Sequence, residues 1–257
     1  MTKAAGRIDR PATPMLELPR IIGHRGAAAS APENTLAGIA RAHAVGCRWV
    51  ELDAKLSFDK IALLMHDERL ERTTDGTGEF AARTAAELQR LDAGSWKGQE
   101  FAGERIPTLA EAIGLMQRLG LGANIEIKPC PGREVETGRR VALELRRLWP
   151  RGHGLLVSSF SAASLEAARA VAPELPRGLL VEAPPPDWPA AVRRLGCVSL
   201  NPWYEDVEPD TIAAANALSV EVVVYTVNDI ERARALLAAG VASIITDGPE
   251  RLLPALA

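Results

Sequence analysis

Glu51 and Asp53 lie two residues apart in an apolar segment whose composition predicts a β-strand. Residues i and i+2 of a strand point to the same face, so both carboxylates share one face while Val50 and Leu52 pack on the other. Two like charges on one face repel unless a proton or a cation lies between them. The pair therefore predicts a site for a hard divalent cation, which prefers oxygen ligands.

Two histidines end the apolar runs on either side of that strand. His24 follows residues 21–23, and His66 follows residues 61–65. An imidazole with a pKa close to neutrality can accept or donate a proton at physiological pH. We therefore expect the two histidines to act as a general acid and a general base, and we interpret His43 and His153 as structural.

A third predicted strand carries Glu126 and Lys128 on one face. Glu126 would complete a three-carboxylate site with Glu51 and Asp53, and such a site suits Mg²⁺, Ca²⁺ or Mn²⁺ better than zinc. Lys128 and Arg25 supply positive charge of the kind that binds phosphate. A metal site, two cations and an acid/base pair together indicate cleavage of a phosphodiester.

Each short motif also has a simpler explanation when it is taken alone. A His-Arg-Gly sequence at a strand end is typical of a loop cap. A Glu-x-Asp strand usually presents a solvated or salt-bridged face, and a Glu-x-Lys strand usually holds an internal ion pair. The functional interpretation depends on the joint placement of all three motifs at the ends of the first three strands.

Eight segments that predict strands alternate with segments that predict helices. The strands are expected at residues 20–23, 48–54, 123–128, 155–159, 178–181, 197–200, 220–227 and 241–246. Eight parallel strand–helix units predict an α/β fold, a closed (β/α)8 TIM barrel rather than an open doubly wound sheet. The sequence also lacks a G-x-G-x-x-G motif and a P-loop lysine motif. Chemistry in such a barrel occurs at the carboxyl ends of the strands, where the candidate residues fall.

Some segments depart from the simple alternation. Residues 61–65 predict a short strand that pairs with the second strand through a turn, and residues 67–107 have little pattern, which is typical of a functional segment or an inserted lobe. Near the end of the chain, Asn228 and Glu231 are expected to cap the helix after the seventh strand. Asp247 is expected to open the last helix.

The composition suits one large globular domain. The chain has 257 residues and a net charge of −3, so nothing favours binding to nucleic acid or stable association with an anionic membrane. Three widely spaced cysteines predict a reducing, cytoplasmic environment. Residues 1–19 are expected to form a flexible leader and residues 20–257 a single barrel domain. The sequence does not distinguish a monomer from a homo-oligomer.

The chain resembles the glycerophosphodiester phosphodiesterase family from about residue 21 to its C-terminus. The matching pieces are His24-Arg25-Gly26, Pro32-Glu33-Asn34-Thr35, Glu51-Leu52-Asp53, His66-Asp67, Arg72-Thr73-Thr74, Asn124-Ile125-Glu126-Ile127-Lys128, Ser158-Ser159-Phe160 and Thr226-Val227-Asn228. Residues 92–96, 173–178 and 194–199 are similar to the cytoplasmic bacterial branch, which works with glycerol-3-phosphate uptake.

The resemblance implies hydrolysis of small-molecule glycerophosphodiesters to sn-glycerol 3-phosphate and an alcohol. The implied roles are the acid/base pair His24 and His66, the metal ligands Glu51, Asp53 and Glu126, and the phosphate contacts Arg25 and Lys128. One divalent ion is implied, with Mg²⁺ expected first and Ca²⁺, Mn²⁺ and Co²⁺ open. By family analogy, the glycerol 2-hydroxyl attacks phosphorus and water then opens the cyclic phosphate. The acid and the base stay unassigned.

Two alternative functions would make different demands on the sequence. A lysophospholipase D or a phosphoinositide-cleaving enzyme acts on lipid and would need an apolar rim or a basic face, whereas aromatic residues make up only 4% of this chain. A barrel that has lost catalysis and only binds phosphate would have lost a histidine or a carboxylate, and this sequence retains all of them.

Overall fold

The computed structural model describes residues 17–256, so most of the predicted leader, residues 1–16, lies outside the described residues. This part of the chain contains nine strands: β1 (Ile21–Gly23), β2 (Trp49–Leu56), β3 (Ala62–Leu64), β4 (Gly122–Ile127), β5 (Leu155–Ser159), β6 (Arg177–Val181), β7 (Ser199–Pro202), β8 (Glu221–Val224) and β9 (Ser243–Thr246).

Helices follow most of the strands. Within the same residues they are α1 (Leu36–Ala44), α2 (Ala85–Leu88), α3 (Leu109–Leu119), α4 (Glu134–Leu148), α5 (Ala162–Val171), α6 (Trp188–Leu195), α7 (Pro209–Ala217), α8 (Ile230–Ala238) and α9 (Pro249–Ala255), with two 3-10 turns at Phe80–Ala82 and Gln99–Phe101. None of these described helices is both long enough and apolar enough to cross a membrane.

The parallel strands close into a barrel, as the sequence predicted. The order around the sheet is β1-β9-β8-β7-β6-β5-β4-β2, and β1 also pairs with β2, which joins the two ends. Strand β3 turns back and pairs antiparallel with β2, so the predicted hairpin is present as well. Closure makes the first strand a neighbour of the last, and it therefore brings His24 beside the end of β9.

The barrel strands alternate between two apolar layers. Outward residues such as Val50, Leu52, Ile125 and Val157 pack in the core under the helices. Inward residues near the amino ends of the strands form an apolar floor that comprises Ile22, Trp49, Leu156, Val223 and Ile245. Polar inward residues are thereby concentrated toward the carboxyl ends of the strands, above this floor.

Several strands begin one or two residues later than the sequence predicted, and for β7 and β8 the reason is that their first predicted residues complete the end of the preceding helix. The Cys197 amide donates to the Val192 carbonyl after Gly196, a Schellman-type end of α6, so β7 begins at Ser199. The Val220 amide likewise donates back into α7, to Ala215, and β8 begins at Glu221. Strand β8 also ends at Val224, three residues before its predicted end.

Residues 67–107 form a lobe between β3 and α3, and the lobe packs around a small hydrophobic core that it shares with the β3 segment. That core contains Leu63, Met65, Leu70, Phe80, Ala85, Leu88, Ala93 and Ile106. The Thr84 hydroxyl and the Glu87 carboxylate form a capping box at the start of α2. The lobe contacts the loop after β1, where the Lys97 ammonium donates to the Ala28 carbonyl.

Helices α4 and α5 approach closely at Gly138, and this contact gives a testable prediction. A Cβ atom added at Gly138 would lie 2.3 Å from the Ser164 carbonyl oxygen, whereas one added at Gly114 in α3 would have no neighbour nearer than 3.7 Å. Both Gly→Ala changes gain helix propensity, about 1 kcal/mol, but only Gly138→Ala overpacks a helix contact, which costs about 1–3 kcal/mol.

We expect Gly138→Ala to lower the midpoint of thermal unfolding by several degrees and Gly114→Ala to leave it unchanged or raise it. Calorimetry on the two variants measures the difference. Equal midpoints would show that α4 and α5 can separate at this contact without loss of stability.

Candidate active site

Three carboxylates meet inside the barrel mouth. Glu51 and Asp53 lie on the inward face of β2, and Glu126 lies on β4 in register with Asp53. Carboxylate oxygens of the three residues lie within 4.8 Å of one another, and all three side chains are buried. The predicted metal ligands are therefore brought together, by strand alternation on β2 and by parallel register between β2 and β4.

The triad carries more negative charge than its neighbours compensate. Burial raises the pKa of Glu51 well above its usual range, and the charges of Asp53 and Glu126 raise it further. Burial and the charge of Asp53 also raise the pKa of Glu126 to about 7. Burial pushes the pKa of Asp53 in the same direction, but Arg25, His66 and Lys128 hold it at about 2. The site thus has the electrostatics of a cation-binding site.

The two predicted phosphate-binding cations contact this triad. The Arg25 guanidinium lies 3.3 Å from Asp53 and donates to Glu33 at 2.7 Å. The Lys128 ammonium lies 3.0 Å from Glu126 and 3.8 Å from Asp53. Both cations therefore stand beside the carboxylate cluster and form ion pairs with it.

His24 is held by a carboxylate from the opposite end of the chain. Its Nδ1 lies 2.6 Å from Asp247 Oδ1, and because a carboxylate only accepts, Nδ1–H is the donor. The free Nε2 then lies 3.8 Å from Glu51. Asp247 was predicted to open the last helix, but its side chain instead orients His24, and the cap position of α9 belongs to Gly248.

His66 is held in the same way by its neighbour. Its Nδ1 donates to Asp67 Oδ1 at 2.7 Å. Burial lowers the pKa of His66, Asp53 opposes this, and Arg25 and Lys128 lower it further. The arrangement leaves Nε2 available and favours the neutral imidazole, which is the form that accepts a proton.

Asn228 does not cap α8, as the sequence predicted, but bonds residues at the end of β9. Its amide nitrogen donates to Asp247 Oδ2 at 2.7 Å, and its amide oxygen accepts from the Thr246 hydroxyl at 2.9 Å. The cap of α8 is Asp229, which accepts from the Arg232 amide. Asn228 therefore fixes Asp247, which in turn fixes His24.

A second network joins the lobe to the barrel. Arg72 donates to Glu33 and to Asp67, and Glu33 also accepts from Arg25. Asn34 binds Asp53 twice, through its amide nitrogen and through its amide oxygen. These residues belong to the pieces that match the family, but the sequence predicted no role for them. The contacts of Glu33 with Arg72 and of Asn34 with Asp53 join segments that are separate along the chain.

Comparison with known proteins gives consistent results. The model of the glycerophosphoryl diester phosphodiesterase family matches residues 24–251. A glycerophosphodiester phosphodiesterase of Caldanaerobacter subterraneus subsp. tengcongensis is 35% identical over 238 residues, which cover 91% of this chain and 96% of that protein.

Solved structures are similar as well. An Oleispira antarctica phosphodiesterase, solved in complex with the product sn-glycerol-3-phosphate, superposes with a TM-score of 0.91 and 40% identity, covering 93% of this chain and 97% of that chain. A glycerophosphodiester phosphodiesterase from Agrobacterium tumefaciens superposes with a TM-score of 0.77 and 28% identity, covering 92% and 100% of the respective chains.

Proposed function

This chain belongs to the glycerophosphoryl diester phosphodiesterase family, and from that premise we propose that it hydrolyses glycerophosphodiesters to sn-glycerol 3-phosphate and an alcohol by metal-dependent acid/base catalysis. The phosphodiesterase activity itself follows from the family. The product in the related Oleispira antarctica structure supports glycerol 3-phosphate as the product here.

The main observation that supports this mechanism is that two histidines, each oriented by an aspartate, lie near one cluster of carboxylates. His24 and His66 both commit Nδ1–H to an aspartate, which leaves both Nε2 atoms for proton transfer. His24 Nε2 lies 3.8 Å from Glu51, and the charges of Arg25 and His66 help to hold the pKa of Asp53 low despite its burial. Nε2 of each ring is therefore the atom that would exchange a proton with the substrate.

The triad fits a divalent metal ion. Three buried carboxylates with too little compensating charge match the oxygen-rich ligand sets of hard cations, so Glu51, Asp53 and Glu126 would hold it. Mg²⁺ is the ion we propose, with Ca²⁺, Mn²⁺ and Co²⁺ as alternatives. When bound, the ion supplies Lewis-acid polarisation of a phosphoryl oxygen.

The chain's own residues would perform the proton transfers. One imidazole removes the proton of the attacking hydroxyl, while the other protonates the oxygen of the leaving alcohol. If a cyclic phosphate forms first, the two roles exchange when water opens it. Asp247 and Asp67 keep both rings in the tautomer that this exchange requires.

Arg25 and Lys128 are proposed to bind the phosphate oxygens. Each cation already faces a carboxylate of the triad, so it lies next to the position that the phosphate would take. A planar guanidinium can donate twice to one phosphate, and a lysine adds a point charge. Arg25 would therefore orient the phosphate, and Lys128 would stabilise its negative charge.

We also propose the limits of the catalytic domain, its partners and its cellular location. Residues 20–257 would form one phosphodiesterase domain with residues 67–107 as its inserted lobe. The partners would be small glycerophosphodiesters and not nucleic acid, and the location would be cytoplasmic, which the cysteine content supports.

The test is release of glycerol 3-phosphate from glycerophosphocholine and glycerophosphoethanolamine by the purified chain. We expect EDTA to abolish release and one of Mg²⁺, Ca²⁺, Mn²⁺ or Co²⁺ to restore it. A preparation that carries His66→Ala controls for contaminating phosphodiesterases.

Three outcomes would contradict the proposal in different ways. Elemental analysis would show whether the EDTA-treated protein is free of metal. Release of glycerol 3-phosphate by metal-free protein would contradict the metal dependence but not the phosphodiesterase activity. No release with any metal would exclude the activity. Cleavage of lysophosphatidylcholine in its place would favour the lipid-directed alternative.

A further inference from the structure

One arginine of the inserted lobe holds two carboxylates that come from different loops. The Arg72 guanidinium lies between Glu33, in the loop after β1, and Asp67, in the loop after β3. Its Nε and Nη2 atoms donate to the two oxygens of Asp67 at 2.5 and 3.0 Å, and its Nη1 and Nη2 atoms donate to the two oxygens of Glu33 at 2.8 Å each. Each carboxylate is thus bonded at two points, which fixes its plane as well as its distance from the guanidinium.

Each of these carboxylates also bonds one residue of the proposed active site. Asp67 Oδ1 accepts from Nδ1–H of His66 at 2.7 Å, and Glu33 Oε1 accepts from Nη1 of Arg25 at 2.7 Å. Direct contacts therefore run from His66 through Asp67, Arg72 and Glu33 to Arg25. They join the imidazole of a proposed acid/base residue to a guanidinium that is proposed to bind the phosphate.

Arg72 is committed to these two partners. Its four hydrogen bonds occupy four of the five N–H groups of a guanidinium, so little capacity remains for a substrate. Burial raises the pKa of Glu33 and of Asp67, but the hydrogen bonds from Arg72 are the largest opposing cause, and each pKa lies below its usual range. Both carboxyl groups therefore stay ionised and act only as acceptors.

The backbone on both sides of Arg72 is fixed in the lobe, whereas its side chain is not packed. Leu70 is 1% exposed and Thr73 is 4% exposed, and the Thr74 amide closes a turn by donating to the Leu70 carbonyl. The Arg72 side chain itself is 46% exposed. Its replacement would therefore remove the bonds to the two carboxylates without opening a cavity in the core.

We propose that Arg72 is a positioning residue, which orients His66 through Asp67 and Arg25 through Glu33 and so fixes the two groups relative to each other. The inference rests on the proposed function, from which it takes the roles of His66 and Arg25. Without Arg72, the Asp67 carboxylate could rotate away from His66, and Arg25 alone would balance the charge of Glu33. Both changes would act on groups that contact the substrate, although Arg72 itself does not.

The first test compares the kinetics of Arg72→Ala, Arg72→Lys and Arg69→Ala on glycerophosphocholine. In Arg72→Ala we expect kcat/KM to fall by about 10²-fold, since a misplacement of about 1 Å costs about that much. The loss should appear in kcat through His66 and in KM through Arg25. The single ammonium of a lysine cannot bond both carboxylates at two points, so Arg72→Lys should recover only a small part of the loss.

Arg69→Ala is the matched control. Arg69 is an exposed arginine of the same lobe that bonds Glu71, a carboxylate outside the proposed site, at 2.6 Å. Its replacement removes the same kind of side chain and should leave kcat and KM unchanged. Thermal unfolding of all three variants shows whether the fold is retained.

A second readout needs neither substrate nor metal. The chain has four histidines, so protein labelled with ¹⁵N-histidine gives few imidazole signals, and His66→Ala assigns those of His66. At pH 8, where an ordinary imidazole is neutral, we expect His66 to carry its proton on Nδ1 in the unmodified chain and in Arg69→Ala. In Arg72→Ala we expect a mixture of the two tautomers, because Asp67 no longer holds a fixed orientation.

The outcomes separate the inference from the proposed function. Normal kcat and KM in a folded Arg72→Ala variant would overturn the inference and leave the function intact. A loss of activity with an unchanged His66 tautomer would also overturn it and would limit Arg72 to stabilising the lobe. Full activity of Arg72→Lys would show that charge alone suffices, which contradicts the two-point bonding. Absence of hydrolysis of any glycerophosphodiester by the unmodified chain would overturn both.

Discussion

Replacing His24 or His66 by alanine is expected to lower kcat by about 10²–10⁴-fold, which is the usual contribution of a general acid or base. Each ring presents only Nε2 toward the substrate, because Nδ1 is bonded to an aspartate. The two losses should be far from additive, since proton removal and proton donation belong to one transition state. Steady-state kinetics on the metal-loaded variants measures the loss.

His43→Ala serves as the control, because this exposed histidine lies within α1, away from the barrel mouth. Thermal unfolding of all variants shows whether the fold is retained. Near-normal turnover in a folded His24→Ala or His66→Ala variant would remove that residue from the acid/base pair.

Asp247→Asn distinguishes the orienting aspartate from the ring that it orients. An asparagine can still occupy the site, but it can present its amide nitrogen to His24 and so favour the wrong tautomer. We expect kcat/KM to fall less than in His24→Ala, with the decrease mainly in kcat rather than an increase in KM. A loss confined to KM would assign Asp247 to substrate binding.

The three carboxylates were predictable because each step from sequence to position is local. Strand alternation fixes Glu51 and Asp53 on one face, and the barrel rule places them at a carboxyl end. Glu126 needs only the additional step that β4 is parallel to β2 and adjacent to it. Local periodicity together with one topological rule therefore determines the triad.

The aspartate that orients His24 was not identified from the sequence. His24 and Asp247 are 223 residues apart and become neighbours only because β1 pairs with β9. The local sequence around Asp247, followed by Pro249 and Glu250, favours a helix start, and that signal obscured its role. The barrel rule alone could have found Asp247, since it directly follows the last strand.

The contacts of Arg72 show a second limit. Arg72 lies in a lobe whose periodicity is too weak to place its residues, yet it bonds both Glu33 and Asp67. Nothing in the order of residues along the chain indicates that these loops meet.

Glu51→Gln is expected to change stability in opposite directions with and without metal. Burial and the neighbouring charges raise the pKa of Glu51, so in the metal-free protein its ionised form is less stable in the folded state than in the unfolded chain. A neutral glutamine removes that cost. The metal-free variant should therefore unfold at a higher temperature than the unmodified chain at pH 8, and this gain should shrink as the pH falls toward the ordinary pKa of glutamate.

Added metal should reverse the ranking. An ion at about 100 times its dissociation constant stabilises a protein by about 2.7 kcal/mol, which corresponds to about 5–10 °C for a domain of this size. The unmodified chain should gain this increment with Mg²⁺, and Glu51→Gln should lose most of it together with activity. The pKa of Glu126 is raised for the same reasons, so Glu126→Gln should also stabilise the metal-free protein and lose most of the stabilisation by Mg²⁺.

Glu79→Gln is the matched control, since Glu79 is exposed and its side chain makes no cap contact. It should leave both unfolding temperatures unchanged. An undiminished metal-dependent increase in both Glu51→Gln and Glu126→Gln would show that the ion binds elsewhere. A metal-free Glu51→Gln protein that is less stable than the unmodified chain would show that the carboxylate repulsion is relieved by other means, such as protons shared within the triad.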